Sequence, residues 1–308
     1  MELSIQNANL TNDVGLERGF EMISKAGFTA IDWCLDQIWD RTQIKAGIFP
    51  EKTVFNESPE KIIAEFEPQL NAMKKFGLRP TQAHAAFPAY SKGRPEFADF
   101  CTEIYKNTLK LCQYAGCPRL VIHGISRPAG DNSMTEKQFF ELNMHMYSAL
   151  IPTIKETKVM VLLENLFTSF GGRYVYAGTC SDPHEAVKYI DSLNALAGEE
   201  CFGLCLDTGH LNLLKMRQRP YIDILGSRIK ALHIHDNSMD KDAHLMPYTG
   251  NTDWNEFCDG LRSIGYDGDL NFETFMQVSL KNIEEPLIMP FLNTIHAIGE
   301  HFRDKITK

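Results

Sequence analysis

The chain contains no run of five or more Lys and Arg, and its formal charge is −9, with 40 acidic residues against 31 basic ones. Affinity for nucleic acid comes largely from clustered basic residues, so this balance argues against a phosphate backbone as partner. Acidic residues gathered around a cation remain compatible with it. No segment reaches 18 consecutive apolar residues, so no membrane-spanning helix is expected. The N-terminal MELSIQNANL lacks the basic start and apolar run of a secretion signal, and a cytoplasmic location is expected. There is no CxxC among the eight cysteines at 34, 101, 112, 117, 180, 201, 205 and 258. Most lie in apolar stretches, as Cys205 does in FGLCLD, and read as small buried hydrophobes of a reduced protein. Repeats, low-complexity tracts and Pro- or Ser-rich linkers are also missing, so residues 1–308 read as one domain.

What is present is enough for a large core. A chain of this length buries about 75% of its unfolded surface, and 44% hydrophobic residues with a mean hydropathy of −0.25 suit that. Short apolar or β-branched runs alternate with segments of helical period, the mark of βαβ units. Strands are expected near 2–5, 29–34, 79–84, 119–123, 159–164, 202–207, 229–235 and 269–273. Helices between them carry readable signals: Ser58, Pro59 and Glu60 open one whose face is Ile62, Phe66, Leu70 and Met73, and Gly77 ends it. Ala26-Gly27 and Ala115-Gly116 mark two further helix ends. Residues 1–13 hold no GxGxxG, which favours a closed (β/α)8 TIM barrel over an open doubly wound sheet. The long connections 35–57 and 165–183 follow strands and are expected over the catalytic face.

Polar residues at the C-terminal ends of barrel strands face the active site. Four strands end in a potential ligand: VMVLLEN in Glu164, FGLCLDTGH in Asp207, IKALHIHD in His233 or His235, and DLNFET in Glu273. Each follows an apolar run, and a buried carboxylate demands a cation or hydrogen-bond donors. Oxygen-rich ligation with one imidazole suits one divalent ion, Mn²⁺ first, with Mg²⁺, Co²⁺ or Zn²⁺ also possible. His84, His123 and His210 also stand at or near strand ends, whereas His145, His184, His296 and His301 fall in helical stretches.

The segments LLEN, CLDTGH, LHIHDNSMDKDAHL with a later TDW, and GYDGDLNFE resemble the xylose isomerase-like barrels. That superfamily includes sugar phosphate isomerases and epimerases and endonuclease IV. The resemblance runs across nearly the whole chain and implies a TIM barrel with Glu164, Asp207, His233 and Glu273 as metal ligands. His233 is preferred to His235 because the ligand in these families precedes an acidic residue by three positions, here Asp236. The resemblance also implies that Glu164 and Glu273 are the proton-transferring bases. His84, His123, His210, His235 and His244 are expected to bind substrate. In endonuclease IV, counterparts of His84, His123, His210 and the Asp242-Ala-His244 pair resemble ligands for additional zinc ions.

The expected function is metal-dependent sugar isomerisation or epimerisation, in which a proton α to a carbonyl is removed and an enediolate forms. One departure is Phe170, at a position where ketose 3-epimerases carry a second substrate-binding glutamate. The FGGRYVYAGT stretch, with Arg173, is expected to cover a bulkier substrate. A lyase cleaving 3-oxo-(C-)glycosides by β-elimination, working with a small second subunit, is the alternative, and an endonuclease IV-like nuclease a second one. Expected partners are a sugar or glycoside and further copies of the chain, with neither nucleic acid nor membrane.

Overall fold

The computed structural model describes residues 1–36, 38–91, 94, 96–127, 132–170 and 174–308. Among them, eight parallel strands alternate with helices: β1 (Leu3–Gln6), β2 (Ala30–Cys34), β3 (Arg79–His84), β4 (Arg119–Val121), β5 (Met160–Glu164), β8 (Phe202–Asp207), β9 (Ile229–His233) and β10 (Leu270–Phe272). The remaining two, β6 (Phe167–Phe170) and β7 (Tyr174–Ala177), pair with each other antiparallel. All eight expected strands exist, but five are shorter than read: β2 and β5 start one residue later, β10 spans only Leu270–Phe272 so that Glu273 lies just beyond it, and β4 and β9 end early. β4 stops at Val121 and β9 at His233, after which Ile234 makes a single bridge to Phe272. The connection 165–183 holds the β6–β7 ribbon, and the alternating residues of its two strands are a strand signal in the sequence. The connection 35–57 holds a short helix, Arg41–Lys45, capped by Asp40, and a turn at Val54–Asn56.

The chain forms two compact units. The first comprises Met1–Trp33, Gln69–Thr81 and Cys205–Lys308. Within it β1 lies between β10 and β2, in the registers Ile5↔Phe272 and Gln6↔Asp32. Strands buried on both faces leave no solvated alternation, and LSIQ of β1 and FGLCLD of β8 are buried throughout. The helix Glu285–Thr307 packs Ile288, Leu292, Ile295 and Phe302 inward. Gly299 allows this approach, since a Cβ there would lie 3.0 Å from both Leu3 and Phe272. Phe302 also stacks on Trp254, ring centroids 5.2 Å apart. Each such fully buried aromatic or aliphatic side chain contributes about 1.5–3 kcal/mol.

The second unit comprises Cys34–Pro68 and Gln82–Leu204. There β4 pairs with β3 through Ala83↔Leu120 and with β5 through Leu120↔Val161. The helix Phe97–Ala115 buries Cys101, Ile104, Tyr105, Thr108 and Cys112. It ends at Gly116 with φ +70°, the left-handed cap that Ala115-Gly116 announces. All cysteines are free and all but Cys34 are buried. Among the described residues no helix is long and apolar enough to cross a membrane.

Candidate active site

In the first unit, the site begins where β8 turns into a helix. Asp207, fully buried, ends the strand and caps Thr208–Leu213 by accepting from the His210 amide at 2.6 Å through Oδ1. That leaves Oδ2 for other partners. His235 Nε2 lies 3.0 Å from it, His210 Nδ1 3.7 Å and His233 Nδ1 4.0 Å. The glycine of the Asp207-Thr208-Gly209-His210 motif has a steric reason. A Cβ on Gly209 would come within 1.9 Å of the His235 ring, so only glycine lets that imidazole reach Asp207. Thr208 Oγ1 holds the same segment by donating to the His235 carbonyl at 2.8 Å.

Asp236, three residues beyond His233, organises the loop that follows. Its carboxylate accepts from the amides of Asn237, Gly250 and Thr252 at 3.0–3.1 Å and from the Trp254 indole at 3.2 Å. The spacing that singled out His233 thus reflects an anchor for residues 237–254. This loop presents Asp242 and His244, whose Oδ2 and Nε2 are 3.0 Å apart. The His244 ring stacks between His235, at 4.0 Å, and Phe275, at 4.4 Å. Burial alone would lower the His244 pKa, but the neighbouring Asp242 carboxylate outweighs it and holds the group up to about 9. Asp242 is correspondingly pushed up by burial, yet His244 and His210 keep it well below the usual carboxylate range.

His233 lies at the centre of a carboxylate cluster. Its Nε2 is 3.6 Å from Glu273 Oε1 and 3.2 Å from Oδ2 of Asp32, a fully buried residue of β2 that the sequence reading passed over. Asn271 donates to that same Asp32 oxygen at 2.9 Å, and Gln6 donates to Glu273 Oε1 at 3.2 Å. Glu273 Oε2 stands 3.6 Å from His244 Nδ1. Unlike Glu164, which ends an apolar run, Asp32 lies within one, FTAIDWCL.

In the second unit, Glu164 ends β5 and is buried. Its Oε2 lies 3.1 Å from His123 Nε2 and 3.6 Å from His84 Nε2, and the two imidazole nitrogens are 3.0 Å apart. The Phe87 ring covers His123 at 4.1 Å, and the Arg41 guanidinium lies 3.7 Å over the same ring. Arg41 also pairs with the buried Asp36. The connection expected over the catalytic face therefore reaches Phe87, which in turn covers one of the histidines expected to bind substrate.

The expected residues fall into two groups: Asp207, His210, His233, His235, His244 and Glu273 within the first unit, and His84, His123 and Glu164 within the second. Arg173 lies outside the described residues. Hard carboxylate donors with imidazole nitrogen, buried together, fit a divalent cation. In the first unit, Asp32, His233 and Glu273 offer one ligand atom each within 4.8 Å of one another, as do Asp207, His210 and His235.

The strand-and-helix alternation and these strand-end acids agree with a family assignment made independently. Residues 20–288 match the family model of the xylose isomerase-like TIM barrel, and the chain belongs to that family. Its fold is the (β/α)8 barrel. Among its relatives, an uncharacterised protein, y4fM, of Sinorhizobium fredii is 26% identical over 276 residues, covering 86% of this chain and 82% of that one. A D-tagatose 3-epimerase-like protein superimposes with a TM-score of 0.72 at 16% identity, covering 100% of this chain and 98% of that one. The 3-keto-D-glucoside 4-epimerase YcjR of E. coli gives 0.69 at 15% identity, covering 98% and 99%. At such identities the structural likeness speaks for the fold.

Proposed function

We propose that the protein is a divalent-metal-dependent sugar isomerase or epimerase, built as one catalytic domain, that removes the proton α to a carbonyl and passes through an enediolate. The observation that carries this reading is the buried carboxylate cluster around His233, in which Asp207 and Glu273 flank an imidazole at 3.6–4.0 Å. Such a concentration of negative charge out of water calls for a cation. The ligand set is Glu164, Asp207, His233 and Glu273, with Glu164 assigned from its strand-end position and family pattern. Mn²⁺ suits these donors best.

When bound, the ion would polarise adjacent sugar oxygens and so acidify the neighbouring C–H. Glu273 takes the proton: Gln6 donates to its Oε1, and its Oε2 is the oxygen facing His244. Epimerisation requires a second base to return a proton to the opposite face of the carbon, and Glu164 fills that role. His84 and His123 hydrogen-bond the substrate hydroxyls and carry protons to and from Glu164 Oε2. In this reading the epimerases named above are neighbours in activity as well as in fold.

One observation favours a second reaction on the same site. The β6–β7 ribbon, which follows Glu164 after two residues, exposes Tyr174 and Tyr176. Exposed aromatic side chains suit an aromatic aglycone, the substrate half that a free ketose lacks. A 3-oxo-glycoside would then undergo β-elimination after the same proton abstraction, with a small second subunit completing the enzyme. Elemental analysis of the purified protein tests the shared premise. We expect one divalent ion per chain. Three zinc ions per chain, with cleavage of abasic DNA, would replace the carbohydrate reading by a nuclease.

A further inference from the structure

We infer that Asp32 is a positioning residue of the proposed metal centre, fixing which nitrogen of His233 is offered to the ion. The inference rests on the metal-centre reading above. Asp32 and His233 are both fully buried, and Asp32 Oδ2 is 3.2 Å from His233 Nε2. Asp32 sits beside Gln6 in the β1–β2 register, so its place is set by strand pairing. Asn271, on β10, donates to the same carboxylate oxygen at 2.9 Å and fixes its orientation. Three neighbouring strands thus deliver a held carboxylate to one edge of the imidazole.

The two nitrogens of the ring face different neighbours. Nε2 faces Asp32 and Glu273 Oε1, at 3.2 and 3.6 Å, whereas Nδ1 is 4.0 Å from Asp207 Oδ2. A neutral imidazole carries one N–H, and in this proposal it sits on Nε2, whose carboxylate neighbours are the nearer ones. With the proton on Nε2, the Nδ1 lone pair points to the Asp207 side. A carboxylate behind a ligating histidine commonly sets tautomer and ring orientation in this way, and its loss weakens metal binding about 10–100-fold. The cluster around His233 contains more carboxylate than the proposed ligands supply, and this role accounts for the extra one.

The test compares wild type with Asp32→Asn, which keeps the side-chain shape. Co²⁺ affinity and the visible Co²⁺ spectrum are measured on the full chain, and the His233 tautomer is read from ¹⁵N imidazole NMR of the metal-free protein. We expect wild type to bind Co²⁺ and to show the Nε2–H tautomer. Asp32→Asn should bind Co²⁺ about 10–100-fold more weakly, with unchanged band positions and a shifted tautomer. Equal affinity, or a Nδ1–H tautomer in wild type, would overturn the assignment of Asp32 while leaving the metal reading standing. A changed band pattern, like that of Asp207→Asn, would make Asp32 a ligand and overturn its positioning role. Failure of wild type itself to bind a divalent ion would overturn both. Should Asp32→Asn fail to fold, the wild-type tautomer alone decides.

Discussion

The two groups of polar residues differ in kind. In the first unit four carboxylates, Asp32, Asp207, Asp242 and Glu273, share four imidazoles, and His244 is held as a cation by its neighbour. In the second unit a single carboxylate, Glu164, meets two imidazoles whose nitrogens are 3.0 Å apart, under the Phe87 ring. In the proposed function, the larger number of carboxylates suits the first group to a cation. The second pairs its carboxylate with two imidazoles, an arrangement that suits hydrogen bonding and proton relay in the proposed function. Three of the four proposed ligands lie in the first unit and only Glu164 in the second, so substitutions of the imidazoles beside Glu164 should fail differently from those in the first group.

The largest effect is expected at Glu273, which combines ligation with proton abstraction. Glu273→Gln should lower turnover by about 10³-fold while the melting temperature stays close to that of wild type. Wild-type turnover in this variant would remove Glu273 from the mechanism. The contrast between the groups sharpens with the next pair. Asp207→Asn should weaken divalent-ion binding by more than the about 10–100-fold cost of losing a supporting residue. His123→Gln should leave that affinity in place and slow turnover about 10²-fold. Isothermal titration with Mn²⁺ beside steady-state kinetics separates the two, and matching losses of affinity would erase the distinction between the groups.

Smaller effects concern how the first group is held. Gly209→Ala places a methyl group where the His235 ring stands. It should destabilise the fold by about 1–3 kcal/mol, read by thermal melting. The Asp242–His244 pair predicts a pH dependence of definite sign. The folded pKa of His244, about 9, lies above the usual 6.5. Its stabilisation is therefore complete below pH 6.5 and is lost as pH rises through about 9. Asp242→Asn in the metal-free protein should lower the melting temperature clearly at pH 6 and far less at pH 10.

Much of this was legible in the sequence because barrel strands end their apolar runs abruptly. Glu164, Asp207, His233 and Glu273 stand where burial meets charge, and that pattern is visible without coordinates. Asp32 does not obey that rule: it lies within β2, followed by Trp33 and Cys34, so no apolar run ends at it. The ribbon β6–β7 escaped because a long connection rich in glycine reads as loop unless its alternation is weighed. No pattern could reveal that His84 and His123 meet at Glu164, since a residue's position along its own strand does not say which side chains of neighbouring strands it touches. Likewise the steric demand on Gly209 comes from His235, 26 residues further on, and is visible only in three dimensions.

In the proposed function, the carboxylate cluster exists to support metal-dependent proton abstraction next to a carbonyl. The most direct test is NMR in D₂O of a panel of ketoses and 3-oxo-glycosides incubated with the enzyme. The account predicts deuterium incorporation at the carbon beside the carbonyl, abolished by chelation and restored by Mn²⁺. Exchange that persists in the fully chelated protein, or a metal-loaded enzyme inert toward every carbonyl sugar yet active on abasic DNA, would contradict it.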